Sequence, residues 1–192
     1  MQRGFHKALK ALKIWLIIFA RIKKKFQMQI LMVCLGNICR SPLAEGIMQH
    51  KTNEAGLDWK VDSAGTANYH VGAPPHHLSQ KVAKLNGVDI SRQCCRQFKK
   101  EDMLAVDKIY AMDNDVYNDI KRISGNLWNP SKTDLLMNEA YPGKNIDVPD
   151  PWYGTEKNYH EVYAMIDKAC DAIIDKASPN PSGGGAFKKQ LY

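Results

Sequence analysis

The sequence predicts an α/β fold in which helices cover both faces of a parallel sheet. Four short strand-like segments alternate with helical patterns along the chain, and this order is typical of parallel sheets. The first segment, Gln29–Val33, is too continuously apolar for a half-exposed edge strand. The 192 residues, 44% of them hydrophobic, suffice for one domain with a substantial core.

The first helix and the second strand have recognisable boundaries. Ser41 is placed to cap the helix, and Pro42 suits its first turn because proline has no N–H to lose. We expect this helix to end near Ala55, before the stop signal Gly56. Trp59–Ala64 follows as the second strand.

The segment after the second strand predicts a loop and a further helix. The loop, residues 72–75, contains two prolines. Leu78, Val82 and Leu85 then recur at the spacing of one helix face, and Gly87 ends the helix.

The second half of the chain adds two strands and two helices. Asp107–Met112 and Asp134–Met137 are the strands, with a polar helix near Asn114–Ile123 between them. The last helix has a start signal, with Asn158 as cap and Glu161 three residues later. Its apolar residues recur at the spacing of a face that packs against a core: Tyr159, Val162, Tyr163, Ile166, Ala169, Cys170, Ile173 and Ile174.

Composition changes at both ends of the chain and predicts three regions. Residues 1–27 carry eight lysines and arginines and no acid, and we interpret them as an extension outside the fold. Residues 28–177 form the domain. Residues 178–192 begin with a linker of serine, proline and glycine and form a flexible tail.

The N-terminal extension has two other interpretations. Its apolar run, Ile14–Ala20, has seven residues, far short of the roughly 20 that span a bilayer. One alternative is a basic amphipathic helix that makes weak contact with an anionic membrane surface. The other is an export signal, which the absence of a small-residue cleavage site after the run argues against.

Charge and cysteine content exclude several classes of protein. The formal net charge is +7, but the eight basic residues of the extension leave 19 lysines and arginines against 20 acids in the rest. The domain therefore has no basic face, and we expect no nucleic-acid partner. Five cysteines, an odd number, favour free thiols in a reducing compartment, hence a cytoplasmic protein. Cys34 and Cys39 lack a second pair at ligand spacing, so we expect no metal and no cofactor.

The stretch Val33–Pro42 is the strongest functional signal in the chain. It joins the first strand to the first helix, so its backbone N–H groups converge near the positive end of a helix dipole, which suits an anion. Ligands of open parallel sheets bind beyond the carboxyl ends of the strands, where both this loop and Ser63 lie.

Cys34 and Arg40 are the reactive pair within this stretch. A positive field favours a thiolate, and arginine binds an oxyanion through two hydrogen bonds. Gly36 lets the backbone approach the anion closely, while Asn37 and Ser41 are placed to hydrogen-bond the loop and the thiolate. The pattern indicates a phosphate-like group held against a thiolate nucleophile.

Asp150 is the candidate proton donor for the leaving oxygen. Pro149 and Pro151 fix its flanks and two aromatic residues follow, so its loop is stiff. An Asp-Pro pair alone more often marks only a turn. Together with the Cys34 motif, it indicates an acid that protonates the leaving group and then draws a proton from water.

These stretches together resemble the low-molecular-weight protein-tyrosine phosphatases. The similarity covers roughly Met28–Ala177 and is carried by Val33–Pro42, Asp62–Thr66, Asp107–Asp113 and Asp150–Gly154. The resemblance implies a small four-stranded parallel sheet with helices on both faces and a phosphate-binding loop after the first strand.

The resemblance also implies the reaction and its residues. Phosphotyrosine and small aryl phosphates are hydrolysed through a phosphocysteine without metal, and the partners are tyrosine-phosphorylated proteins. Cys34 is the implied nucleophile, Arg40 the phosphate clamp and Asp150 the general acid. A deep aromatic slot favours phosphotyrosine because phosphoserine is too short to reach the thiolate. The implied substrate-binding residues are Leu35, Gly36, Asn37, Ile38, Cys39, Ser41, Tyr69, Trp152 and Tyr153, with Ser63 in support.

Two residues near this site have further implications. In the family, a second loop cysteine such as Cys39 forms a reversible disulfide with the nucleophile, which makes the enzyme redox-sensitive; the alternative is a buried packing residue. Asn86 falls where some family members carry a histidine in the supporting network. The histidines at 50, 70, 76, 77 and 160 are interpreted as surface or packing residues.

Three other functions stay open on the same motif. Protein-arginine phosphatases of this fold typically carry threonine where this chain has Ile38, which favours phosphotyrosine. Arsenate reductases of this fold relay a disulfide through two further cysteines several residues apart, whereas Cys94 and Cys95 are adjacent. A non-catalytic phosphoprotein-binding module would lack Cys34 or Asp150, and both are present.

Overall fold

A computed structural model describes residues 27–177. The predicted tail, 178–192, and all but the last residue of the predicted extension, 1–27, lie outside the described residues.

In the described part of the chain, four parallel strands form one sheet in the order β2-β1-β3-β4. Strand β1 pairs on one side with β2 and on the other with β3, and β3 pairs with β4. The predicted four-stranded parallel sheet is therefore confirmed. The strands are β1 Gln29–Cys34, β2 Lys60–Gly65, β3 Lys108–Ala111 and β4 Thr133–Leu135.

Among residues 27–177, five α-helices and two 3-10 turns lie between and after the strands. The 3-10 turns are Gly125–Leu127, after α4, and Leu136–Asn138, after β4. The short helix α3 had no recognised signal in the sequence. The helices are α1 Arg40–Glu54, α2 His77–Leu85, α3 Asp102–Ala105, α4 Asn114–Ser124 and α5 Glu156–Ala177.

Strand β1 divides the interior into two cores. Successive side chains of a strand point to opposite faces. Ile30 and Met32 accordingly pack in a core formed with α1 and α5, while Leu31 and Val33 pack with α4 and Phe98. Because both faces of β1 are covered, its continuous apolar sequence is explained.

The sheet order places the loop after β1 at a switch point. The chain leaves β1 toward β2 on one side and later returns to β3 on the other, so a crevice opens beyond their carboxyl ends. Cys34 is the last residue of β1 and pairs in register with Gly65, the last residue of β2.

Two predicted helix starts are wrong. Helix α1 begins at Arg40, and its capping position, Cys39, makes no side-chain cap; the Ser41 hydroxyl contacts other groups, described below. Helix α5 begins at Glu156, so Asn158 is its third residue, and Asn158 Oδ1 accepts the Thr155 N–H at 2.9 Å. Both starts were misplaced because a small polar residue was assigned a cap that its side chain does not make.

Two further predictions differ in detail. Leu85 is 65% exposed rather than part of the buried face of α2, because the chain turns away at the end of this short helix. Strand β4 ends at Leu135, two residues before the predicted end, and Leu136 and Met137 are buried from the 3-10 turn that follows.

Among residues 27–177, no helix is long and apolar enough to cross a membrane.

Candidate active site

The loop between β1 and α1 surrounds the sulfur atom of Cys34. Cys34 is 2% exposed. Its Sγ accepts the Asn37 backbone N–H at 3.2 Å and the Ser41 hydroxyl at 3.1 Å. Helix α1 begins one residue before Ser41, so its positive end faces the same region. These donors and this dipole stabilise negative charge on the sulfur.

Asn37 holds the loop in shape from its centre. Its φ of 55° lies in the left-handed region, which asparagine tolerates better than most residues. Its Nδ2 donates to Ser41 Oγ at 2.9 Å and to Ser63 Oγ at 2.8 Å, and its Oδ1 accepts the Arg96 N–H at 2.9 Å. All three side-chain hydrogen bonds are satisfied, which offsets the cost of a buried amide.

Gly65 allows β2 to approach this loop closely. A Cβ at this position would lie 2.8 Å from the Leu35 carbonyl oxygen and 3.0 Å from the Asn37 nitrogen. No real Cβ tolerates both contacts, so any side chain at residue 65 displaces the loop backbone.

The guanidinium of Arg40 is buried and held from one side. It is 3% exposed. Nη1 donates to the Asp113 carboxylate and, at 3.0 Å, to the Val148 carbonyl oxygen, while Nη2 donates to Asp150 Oδ2 at 2.8 Å. Burial lowers the pKa of Arg40, but Cys34, Asp150 and Asp113 together outweigh it and raise that pKa above its ordinary value. Arg40 therefore stays charged.

One donor of Arg40 is left over. Its Nε is buried and has no hydrogen-bond partner among the described residues. An unpaired donor on a buried charged group is costly. Arg40 lines the cavity above Cys34, so an oxyanion bound there is the partner that fits this donor.

Asp150 stands on the loop that leads into α5. Its Oδ1 accepts the Trp152 N–H at 3.1 Å, and the Gly154 N–H donates to the Pro151 carbonyl oxygen at 2.8 Å. These bonds close a tight turn whose carboxylate is 41% exposed. Asp150 is thus both fixed and accessible to solvent.

A cavity of about 350 Å³ brings most of the predicted residues together. Asn37, Ser41 and Ser63 are not in its lining; their hydrogen bonds place them behind the loop. His70 lines the cavity although it was interpreted as a surface or packing residue. The lining consists of Cys34, Leu35, Gly36, Ile38, Cys39, Arg40, Tyr69, His70, Asp150, Trp152 and Tyr153.

The outer walls of the cavity are aromatic and open to solvent. Tyr153 is 97% exposed, Tyr69 76% and Trp152 40%. These are large exposed apolar surfaces of the kind that bind a ligand.

The comparisons with known proteins agree with this site. Residues 29–180 match the model of the family described as low molecular weight phosphotyrosine protein phosphatase. A Homo sapiens protein of that name is 35% identical over 150 residues, which cover 77% of this chain and 94% of the human protein.

The chain belongs to the low-molecular-weight protein-tyrosine phosphatase family. The predicted family, fold and cysteine-dependent protein-tyrosine phosphatase activity are thereby confirmed.

Solved structures of the family superpose on the described fold. An Entamoeba histolytica protein tyrosine phosphatase has 35% identity and a TM-score of 0.73, over 79% of this chain and 97% of that one. A Drosophila arginine phosphatase is also similar, with 29% identity and a TM-score of 0.72, over 80% of this chain and 100% of that one. The fold is thus shared by phosphatases with different named substrates.

Two histidines flank Trp152 at the rim of this phosphatase site. The ring centroids of His70 and His76 each lie 5.4 Å from that of Trp152. His76 also stacks on Tyr159 at 5.2 Å, and its ring nitrogen accepts the Leu78 N–H at 3.3 Å as the cap of α2. Burial lowers the pKa of His76, and so does neighbouring His77. A neutral His76 therefore supports both the wall and the cap.

Cys39 is shielded from solvent within the same loop. It is 4% exposed, and its Sγ lies 3.6 Å from the Tyr159 hydroxyl. Burial raises the pKa of the Cys39 thiol to about 12. Cys39 is therefore a protonated thiol at neutral pH.

Two residues of the site were missed from the sequence: His70, which lines the cavity, and Asp113. Asp113 pairs with Arg40 and also caps α4, accepting the Val116 N–H at 2.7 Å. A carboxylate two residues after the end of β3 was a usable signal, since it stands at the ligand-binding edge of the sheet. Asn86 is not in the loop network; its Nδ2 donates to the Val82 carbonyl oxygen at 2.8 Å and ends α2.

Proposed function

We propose that residues 28–177 are the catalytic domain and that they hydrolyse phosphotyrosine through a phosphocysteine on Cys34, without metal. The observation that carries this is one cavity lined by a thiol, a buried guanidinium and an exposed carboxylate, those of Cys34, Arg40 and Asp150. These groups supply a nucleophile, a charge clamp and a proton donor.

In the first step, the Cys34 thiolate attacks phosphorus. The S–P bond forms as the ester P–O bond breaks, and the phosphoryl group passes to sulfur. The Asn37 N–H and the Ser41 hydroxyl, at 3.2 and 3.1 Å from Sγ, stabilise the thiolate before attack.

Arg40 holds the transferring phosphoryl group. Asp113 and the Val148 carbonyl oxygen fix Nη1, which leaves Nε and part of Nη2 for phosphoryl oxygens. A preoriented guanidinium stabilises the charge that spreads over these oxygens in the transition state.

Asp150 moves the protons. It donates one to the leaving phenolate oxygen as the P–O bond breaks. It then takes one from a water molecule that attacks the phosphocysteine, and the S–P bond breaks to release phosphate and the thiolate. An exposed position allows Asp150 to exchange its proton with solvent between steps.

The walls select the substrate. Leu35, Tyr69, Trp152 and Tyr153 surround the phenyl ring and exclude side chains too short to carry their phosphate to Cys34. We propose tyrosine-phosphorylated proteins as the partners and the cytoplasm as the compartment. We assign residues 1–27 to an extension of the catalytic domain, and the alternative is that they make weak contact with a membrane surface.

A second candidate substrate is phosphoarginine, because a Drosophila arginine phosphatase has the same fold. The two substrates differ in the group that must pass the loop: an aryl ring or a guanidinium. Ile38 is 7% exposed and lines the cavity with an apolar side chain. That favours the aryl ring.

We propose that Cys39 protects Cys34 from irreversible oxidation. Peroxide oxidises the Cys34 thiolate to a sulfenic acid, and the Cys39 sulfur then displaces hydroxide to form a disulfide and water. A reducing thiol restores both cysteines.

A turnover panel tests the proposal. Phosphotyrosyl, phosphoseryl and phosphoarginyl peptides and arsenate are offered to the wild type, Cys34→Ser and Asp150→Asn. We expect phosphotyrosine to be preferred, Cys34→Ser to be inactive, and Asp150→Asn to be slowed by about 10²- to 10⁴-fold. Undiminished activity in Cys34→Ser would overturn the mechanism, and a preference for phosphoarginine would overturn the substrate.

A further inference from the structure

We propose that His76 is a positioning residue for the aryl ring of the substrate: its neutral imidazole supports the cavity wall at Trp152, and a protonated imidazole no longer does. This role depends on the proposed hydrolysis of phosphotyrosine, and it adds a residue that does not itself line the cavity. Its consequence is that selectivity for an aryl group over bare phosphate falls in acid.

The contacts of His76 join three parts of the site. Its ring centroid lies 5.4 Å from that of Trp152 and 5.2 Å from that of Tyr159, on which it stacks at an interplanar angle of 14°. Such ring contacts are favourable beyond the area that they bury. The His76 backbone N–H donates to the Ile38 carbonyl oxygen at 2.7 Å. The ring that supports Trp152 is therefore anchored to the loop that surrounds Cys34.

The cap of α2 requires a neutral His76. Nδ1 of His76 accepts the Leu78 N–H at 3.3 Å, so the ring proton must lie on Nε2. An imidazolium carries a proton on both nitrogens and cannot accept this bond. It would also place a positive charge at the positive end of the α2 dipole. Protonation of His76 therefore removes the cap and is opposed by the helix.

The nearest groups also disfavour a charged His76. Burial lowers the pKa of His76 below its ordinary 6.5, and so does His77, whose ring centroid lies 4.3 Å away. On α5, burial raises the pKa of Tyr159 and its hydroxyl contacts the Cys39 thiol, so neither supplies a negative charge at neutral pH. The proton therefore binds His76 only in acid.

The carboxylates on the elements around His76 are already paired. Asp150, on the loop of Trp152, is bound by Arg40 at 2.8 Å. At the start of α5, Glu156 pairs with Lys81 of α2 at 2.7 Å. An imidazolium at residue 76 has no counter-ion among them.

His70 is the remaining titratable group beside this wall. Its ring centroid lies 5.4 Å from that of Trp152, on the loop before α2. A pH effect on Trp152 could therefore arise from either histidine, so the test must separate the two.

Protonation of His76 loosens the wall but leaves the general acid in place. The ring is half-buried, so it can turn toward water once its cap bond is lost. Attraction between an imidazolium and the aromatic faces opposes this turn, but it is weak at an exposed site and does not restore the cap. Trp152 then loses a ring contact, while its backbone N–H still donates to Asp150 at 3.1 Å. The loss therefore falls on the binding of the aryl ring.

The measured quantity is ring selectivity, the inhibition constant of inorganic phosphate divided by that of benzylphosphonate. Both ligands present a tetrahedral anion to Arg40 and the loop, and only benzylphosphonate adds a ring. Each value is divided by that of a variant at the same pH, which removes the ionisation of the ligands.

Two substitutions of His76 separate its ring from its charge. His76→Phe keeps a ring that cannot take a proton, and His76→Asn keeps a helix cap but has no ring and does not titrate. The matched control is His50→Asn, since His50 lies on α1 beside Glu54 at 3.3 Å and outside the cavity lining.

Relative to His76→Phe, we expect the ring selectivity of the wild type to fall by about 2- to 10-fold as pH drops from 8 to 4.5, the range of one aromatic contact. His76→Asn should have the low value throughout, His50→Asn should follow the wild type, and the fall should persist in a His70→Asn background. A flat ratio, or a fall that disappears with His70→Asn, overturns the role of His76 while Cys34→Ser is inactive. An active Cys34→Ser overturns the proposed function instead.

A measurement on the wild type tests the same role if the variants fold poorly. The imidazole signals of His76 and the indole N–H signal of Trp152 are followed by NMR over the same pH range. The control is the indole of Trp128, which packs edge-on against Tyr117 with centroids 5.4 Å apart. We expect Trp152 to titrate with the midpoint of His76, below 6.5, and Trp128 not to respond. A Trp152 signal that does not follow His76 overturns the role.

Discussion

Asp113 gives one carboxylate oxygen to Arg40 and the other to the start of α4. Oδ2 pairs with Arg40 Nη1, while Oδ1 accepts the Val116 N–H at 2.7 Å. Serine is a good cap but too short to reach the guanidinium, and alanine does neither. Comparing Asp113→Ser with Asp113→Ala therefore separates the two contacts.

The expected magnitudes differ for activity and stability. A hydrogen bond to a charged group contributes about 1.5–3 kcal/mol, which corresponds to roughly 10- to 150-fold in kcat/KM if Arg40 loses its orientation in the transition state. Both variants should show this loss. Asp113→Ala should also unfold with about 1 kcal/mol less free energy than Asp113→Ser, because it alone loses the cap.

The assay is kcat/KM for an aryl phosphate, with the inhibition constant of inorganic phosphate and thermal unfolding measured on the same samples. Asp115→Ser is the matched control, since Asp115 lies in the same helical turn and is exposed. Wild-type kcat/KM in Asp113→Ser would refute the reasoning, because Asp113 would then be only a cap.

Three other outcomes are expected. Gly65→Ala should lower kcat/KM by about 10-fold or more because the new Cβ would lie 2.8 Å from the Leu35 carbonyl oxygen. The control is Gly56→Ala, at φ +66° with open space around it, which should lower stability by about 1 kcal/mol and leave kcat/KM unchanged. Equal effects of the two variants on kcat/KM would contradict this. Burial raises the pKa of Glu45 from an ordinary 4.5 to about 7, so the folded state holds the Glu45 proton more tightly than the unfolded state does. The free energy of unfolding should therefore fall by up to about 3 kcal/mol as pH rises from 4.5 through 7. Denaturant titrations of Glu45→Gln should lack this fall. Cys39→Ala, measured against its own activity before treatment, should lose the recovery that a reducing thiol gives the wild type after peroxide. Full recovery in Cys39→Ala would exclude the disulfide.

The sequence was sufficient to propose the candidate site residues that are local to one loop. Cys34 and Arg40 lie within one strand–loop–helix unit, and Asp150 lies between two prolines that fix its turn. Their spacing and their flanking residues indicate the chemistry even when the packing is not known. The apolar run of β1 likewise predicted a strand that is covered on both faces.

Contacts between distant segments could not be predicted in the same way. Asp113 is 73 residues from Arg40 in sequence, and only the folded sheet brings the two side chains together. Ser41 shows the opposite error: its position suited a helix cap, but the adjacent thiol and the Asn37 amide compete for its hydroxyl. His70 reaches the cavity only because its loop folds over Gly36.

The identity of the nucleophile is the central claim, and a denaturing quench tests it most directly. The wild type is mixed with a phosphotyrosyl substrate, stopped with detergent within the first turnover, digested and analysed by mass spectrometry. We expect one phosphate on the Cys34 peptide, formed at the rate at which the phenol is released and absent in Cys34→Ser. Phosphate on another residue, or turnover with no phosphorylated enzyme at any time, would contradict the account.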